Sequence, residues 1–83
     1  MYRITGVEFK EGDYQGRHYE YYNIHTLSDE KILVGNKAEV YKIKPQFLSS
    51  IINLADLGKL IDKKFETAFY DKYGNCTNFK FVN

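Results

Sequence analysis

From Tyr2 to Phe9 the segment YRITGVEF mixes polar positions with β-branched and aromatic residues, the pattern of a half-buried strand. Its apolar phase changes at Gly6, because Ile4 precedes the glycine while Val7 and Phe9 follow at odd offsets from Ile4. A β-bulge that bends the strand at Gly6 is the expected cause. KEGDYQGR, with two glycines and an aspartate, then reads as a loop with Tyr14 near its tip. A second strand follows from His18 to Leu27, in HYEYYNIHTL. Alternation puts Tyr19, Tyr21, Asn23 and His25 on one face and Tyr22 with Ile24 on the other, which reads as core. LSDEK interrupts the pattern. KILVGNKAEVYKIK then carries two apolar runs around Gly35 and Asn36, where the chain makes either a two-residue hairpin or a bulge in one long third strand.

The period changes at PQFLSSIINL, where Phe47, Leu48, Ile51, Ile52 and Leu54 recur at helical spacing and Pro45 suits the first turn. Asn53 and Gly58 are candidate stops, so the helix is short and LADLGKL closes as an irregular connection. The last segment, DKKFETAFYDKYGNCTNFKFVN, is a hairpin: Phe65, Thr67 and Phe69 share a face of its first strand, and Thr77, Phe79 and Phe81 a face of its second. In the DKYGN loop, Gly74 or Asn75 supplies the positive φ. The result is a mainly β chain with one short helix, in the order β-β-β-α-β-β. That order is the connectivity of a five-stranded OB-like barrel, and closure removes exposed edges. A curved open antiparallel sheet packed on one helix is the alternative.

Composition narrows the classes. At 83 residues the chain is one domain, 1–83, with a single thin core. Eight Tyr and 6 Phe make 17% of it aromatic, so rings supply much of the apolar area. With 12 basic and 11 acidic residues the net charge is +1, so no overall field draws the molecule to phosphate or anionic lipid. Cys76 is the one cysteine, which excludes an internal disulfide and reads as a small strand residue. No apolar run approaches the roughly 18 residues of a membrane span, and MYRITGVEFK lacks the apolar centre of a signal peptide. The expected location is cytoplasmic.

Catalytic chemistry finds little footing. His18 and His25 lie an odd number of positions apart on one strand, so they face opposite ways and cannot jointly hold a metal. No glycine loop leads from a strand into a helix to cradle phosphate. Ser49 and Ser50 have no sequence cue for a base, and Asp29 with Glu30, like Glu11 with Asp13, read as solvated loop carboxylates. No cofactor or metal is expected.

Rings interleaved with cations are the stronger signal, because single-stranded nucleic acid is held by bases stacked on aromatic faces and phosphates paired with cations. Tyr19 and Tyr21 share the face opposite the core, Arg17 lies just before them, and Lys42 and Lys44 alternate along the third strand. An OB barrel binds oligonucleotides around strands two and three, between its first and fourth loops. Those loops hold Tyr14, and Lys72 with Tyr73. The structural reading of the same residues is that Tyr19 or Tyr21 covers a core edge and that the alternating lysines discourage edge pairing. Glu20 and Glu39 fall among the site residues and would repel phosphate.

Through its strand order, the helix opening at PQFL and the closing hairpin FETAFYDKYGNCTNF, the chain resembles the small single-stranded DNA-binding OB proteins of phages and mobile elements of Gram-positive bacteria. The resemblance is architectural and implies coating or protection of single strands, often as a homodimer. Two other classes use the same tyrosines differently. One is a protein-interaction module, such as a phage or mobile-element accessory or inhibitor protein, with the rings as interface anchors; the other is a homo-oligomeric structural protein.

Overall fold

The computed structural model describes residues 1–82. Its strands are β1 (Tyr2–Tyr14), β2 (Arg17–Lys31), β3 (Asn36–Ile43), β4 (Lys64–Tyr70) and β5 (Cys76–Phe81), with helix α1 (Pro45–Ile51) and a 3-10 segment (Leu54–Leu60) between β3 and β4. The strands close into a barrel in the order β1-β2-β3-β5-β4. This is the connectivity and strand order of an OB-like barrel, and the open sheet is set aside. No helix among the described residues is long and apolar enough to cross a membrane.

Closure uses few backbone pairs. β1 meets β4 at Tyr2↔Phe65 and Arg3↔Lys64, and β3 meets β5, in parallel, at Ile43↔Cys76. Side chains complete the seal. Ile4, Ile24, Ile43, Leu48, Leu60, Phe65, Cys76 and Phe79 are buried, with the Tyr41 ring among them. Phe65 packs on Phe79 at 4.7 Å between centroids, and Tyr41 meets both rings edge-on at 5.6 and 5.7 Å. Edge-to-face packing at these distances adds stabilisation beyond the area buried. The Tyr41 hydroxyl donates to a Glu39 carboxylate oxygen at 2.7 Å, so its polar end is satisfied. Burial, followed by that hydrogen bond, pushes the phenol well above its ordinary range.

Local sequence explains the elements. The β1–β2 register shifts between Ile4 and Gly6, the bulge expected from the phase change, and this keeps both Ile4 and Val7 facing inward. Pro45 opens α1 at its first positions, where its missing N–H has no partner to lose. Leu48 buries the helix against the barrel. The Asn53 side chain accepts from the Ala55 N–H and starts the 3-10 segment, which fills the place of the expected irregular connection.

Three expectations are corrected. KEGDYQGR is not a loop: β1 runs on to Tyr14 and turns at Gln15 and Gly16, both at positive φ, the geometry of a two-residue type I′ hairpin. At Gly35 and Asn36 there is neither a two-residue hairpin nor a bulge. Lys31 pairs with Asn36, and Ile32 to Gly35 form the connection, with Leu33 99% exposed. Phe69 does not share the face of Phe65, because a register shift between Phe65 and Thr67 turns Ala68 inward, opposite Phe79, and leaves Phe69 half exposed.

Replacing Phe79 by Ala is expected to cost about 3–5 kcal/mol, as for buried phenylalanines in general. Phe69→Ala removes a ring already half in water and should cost under about 1.5 kcal/mol. Urea denaturation of the two variants measures this; equal losses would contradict the faces assigned to β4 and β5.

Candidate nucleic-acid interface

β1 and β2 outrun the barrel. Between Lys10 and Tyr21 they pair only with each other among the described residues, since β4 reaches β1 only at Tyr2 and Arg3, and β3 reaches β2 only from Tyr22 onward. This two-stranded arm lengthens the molecule to 44 Å against 27 and 24 Å in the other directions. Alternation along its ladder gives it two unlike faces.

The outer face carries rings and cations. Tyr19 lies opposite Gly12, Tyr21 opposite Lys10, and Tyr14 opposite Arg17. The ring of Tyr19 rests on Gly12 so closely that a Cβ there would lie 2.6 Å from its Cζ, and a side chain at this position would displace the ring. Tyr19 and Tyr21 stack with centroids 6.1 Å apart and planes at 19°. Lys42, reaching across from β3, places its ammonium 4.3 Å from the Tyr21 centroid. Tyr14 is 69% and Tyr19 46% exposed. Tyr21, beneath the Lys42 ammonium, is half-buried, so Tyr19 is the open member of the stacked pair.

Nearer the barrel, the outer face continues into Glu8, Asn23 and His25. Glu8 takes a hydrogen bond from His25 Nε2 at 3.0 Å, and Lys10 and Asn23 lie at 3.0 and 3.4 Å from its carboxylate. These contacts, the His25 bond first, hold its carboxyl at about 2. Glu8 is thus an ionised group among three donors, and its charge is largely answered locally.

The acids of the arm lie on its other face. Glu11 stands opposite Glu20, and Asp13 opposite His18, on the side that continues inward to Phe9, Tyr22 and Ile24. Glu39 shares the inward face of β3 with Tyr41, whose hydroxyl it accepts. Both glutamates that the sequence set among the site residues therefore point away from the rings. Glu11, Asp13, Asp29 and Glu30 are strand residues rather than loop carboxylates.

The remaining expected site residues form a second group beside the end of β3. Tyr70 pairs with Cys76, and Cys76 with Ile43, which sets the β4–β5 turn against that strand. In the turn Gly74 takes φ +84°, and the Asp71 carboxylate accepts from the N–H groups of Tyr73 and Asn75. The Asn75 bond leads the effects that hold Asp71 below its ordinary range, and the Ile43↔Cys76 pair brings Lys44, the next residue, to the side of this turn. Tyr73 is 77% exposed, and Lys72 sits 5.1 Å over its ring.

Tyr14, Arg17, Tyr19, Tyr21 and Lys42 are thus gathered on one face, while Lys44, Lys72 and Tyr73 form a separate group where the β4–β5 turn meets the end of β3. Lys10 is the cation the sequence reading missed, because KEGDYQGR looked like a loop; the signal that could have found it is its even spacing from Glu8 and Gly12. Elsewhere, the Ser49 and Ser50 hydroxyls donate to the carbonyls of Gln46 and Phe47, and burial pushes the Cys76 thiol up to about 11. Comparison of the chain with protein families, curated proteins and solved structures finds no match.

The low pKa of Glu8 has a consequence for stability. A carboxyl depressed in the folded chain stabilises it fully above its ordinary value of 4.5, and that contribution is lost as pH falls toward about 2. Thermal melting followed from neutral pH to about pH 2 should show wild type above Glu8→Gln near neutrality, with the gap closing in acid. A gap that does not change with pH would show that Glu8 acts by packing alone.

Proposed function

We propose that the protein binds single-stranded nucleic acid along the outer face of the arm and the adjoining β2–β3 surface. Bases stack on Tyr19 and Tyr21, with Tyr14 at the far end, while Arg17, Lys10 and Lys42 pair with phosphates. The observation that carries this reading is the stacked ring pair, Tyr19 exposed and Tyr21 half-buried beneath Lys42, on a face where Glu8 is already paired with His25 and Lys10 and from which Glu11, Asp13, Glu20 and Glu39 are turned away. This segregation supplies locally what a net charge of +1 does not supply overall. Stacking needs only a π face, so the expected recognition tolerates sequence. The ammonium resting on Tyr21 is available to a phosphate that runs along the face, and the group by the β4–β5 turn extends the path.

A protein-binding reading is favoured by a different observation, the apolar tip Ile32, Leu33 and Val34, which stands in solvent between β2 and β3. Salt separates the two readings. Counterion release makes nucleic-acid binding fall steeply with salt, whereas an apolar contact barely responds.

Fluorescence anisotropy with labelled oligo-dT, and with a duplex of the same length, tests the proposal. The single strand should bind in preference to the duplex. If Arg17, Lys10 and Lys42 each neutralise one phosphate, log affinity should fall with log salt at a slope of about −2. Tyr19→Ala with Tyr21→Ala removes about 2–6 kcal/mol of stacking, a loss of about thirtyfold or more, with the fold retained. Cooperative unfolding lost in that double variant would make the rings structural, and silence toward both oligonucleotides would overturn the reading.

A further inference from the structure

The inner face of the arm gathers donors of another kind. Glu11 and Glu20 face each other directly in the ladder, and the next pair toward the turn is Asp13 with His18. Like charges directly opposed across two strands repel, and here the carboxylates all turn toward a single imidazole. His18 Nδ1 lies 3.2 Å from Asp13 Oδ1, while Nε2 lies 3.3 Å from Glu20 Oε1 and 3.6 Å from Glu11 Oε2. One ligand atom from each of Glu11, His18 and Glu20 falls within 4.8 Å of the others. Bonds of about 2.0–2.2 Å to a tetrahedral zinc ion put neighbouring ligand atoms roughly 3.3–3.6 Å apart. The spacings around Nε2 already match that geometry, and Asp13 holds the opposite ring nitrogen as carboxylates do behind metal-bound histidines.

We propose that the arm binds a divalent transition-metal ion of the zinc class through Nε2 of His18 and one carboxylate oxygen each of Glu11 and Glu20. Asp13 is the positioning residue, and water completes the tetrahedron. The imidazole selects a transition ion over magnesium or calcium, which take six or more oxygen ligands. Access is open, because His18 and Glu20 also line a shallow recess with Pro45 and Gln46. Glu11 comes from β1 while His18 and Glu20 come from β2, so the ion ties the two strands together behind the ring pair. This site does not depend on the nucleic-acid reading.

The test is calorimetric titration of chelator-treated protein with zinc chloride, alongside two-dimensional NMR of the wild type. One ion per chain is expected, with the largest shifts at the His18 ring and at the amides of Glu11, His18 and Glu20, and with no competition from excess magnesium. His18→Gln, or Glu11→Gln combined with Glu20→Gln, should abolish binding, and Asp13→Asn should weaken it about tenfold. These side chains are exposed, so the variants should melt like wild type. Cys76 is only 1% exposed and should show no zinc-dependent shift. No uptake of zinc, uptake that His18→Gln leaves intact, or wild-type shifts centred on His25 would each overturn the proposal.

Discussion

The ladder between β1 and β2 is the constraint from which the surface chemistry follows. Side chains alternate along each strand, so a slip of one residue would move every arm residue to the opposite face. The observed register sets Lys10 against Tyr21, Gly12 against Tyr19 and Tyr14 against Arg17, and it sends Glu11, Asp13, His18 and Glu20 to the other side. Two features hold it. The bulge at Gly6 absorbs one residue where the strand enters the barrel, and the Gln15–Gly16 turn fixes the opposite end, because a two-residue turn admits one pairing. Tyr19 also rests directly on Gly12, so a side chain at position 12 would move that ring aside.

Inside the barrel the same economy appears in aromatic form. A small domain has few residues with which to fill a closed sheet, and here Phe65, Phe79 and Tyr41 occupy its centre while Tyr2 stacks on Phe65 at 5.1 Å. With β3 and β5 joined at one residue pair, the rings rather than the backbone ladder seal that side. Thr26 and Ser28, the buried polar residues, are matched: Thr26 donates to the Glu39 carbonyl and Ser28 Oγ accepts from the Glu30 N–H. The barrel is therefore a fixed platform from which the arm projects.

Much of this was legible in the sequence because it rests on local rules. The phase change at Gly6, proline at the start of α1, glycine in the β4–β5 turn and the faces of His18 to His25 each follow from backbone geometry that one residue or its neighbours determine. What was illegible depended on pairing. Gly12 and Asp13 look like turn residues, and only the pairing of Gly12 with Tyr19 and Asp13 with His18 shows that the strand continues through them to the turn at Gln15 and Gly16. KILV looks like a strand, yet its apolar residues stand in a connection, which no periodicity reveals. Phe69 changed face through a bulge whose flanking residues carry no glycine. The two histidines were correctly separated, but the meeting of His18 with Glu11 joins residues on different strands, and its visibility required the register. Lys10 was hidden for the same reason.

A two-stranded ribbon standing clear of a core has its own opening equilibrium. Isolated hairpins are marginal in water, so the arm between Lys10 and Tyr21 is expected to open locally at a lower free-energy cost than the barrel. Anything gripping the arm must hold it ordered, and the free energy of that ordering is subtracted from the grip. Conversely, the tip can lengthen, shorten or change its residues with little effect on the barrel, because none of the buried ring cluster lies in it. The residues that fold the barrel and the exposed faces of the arm are thereby carried by separate parts of the same two strands.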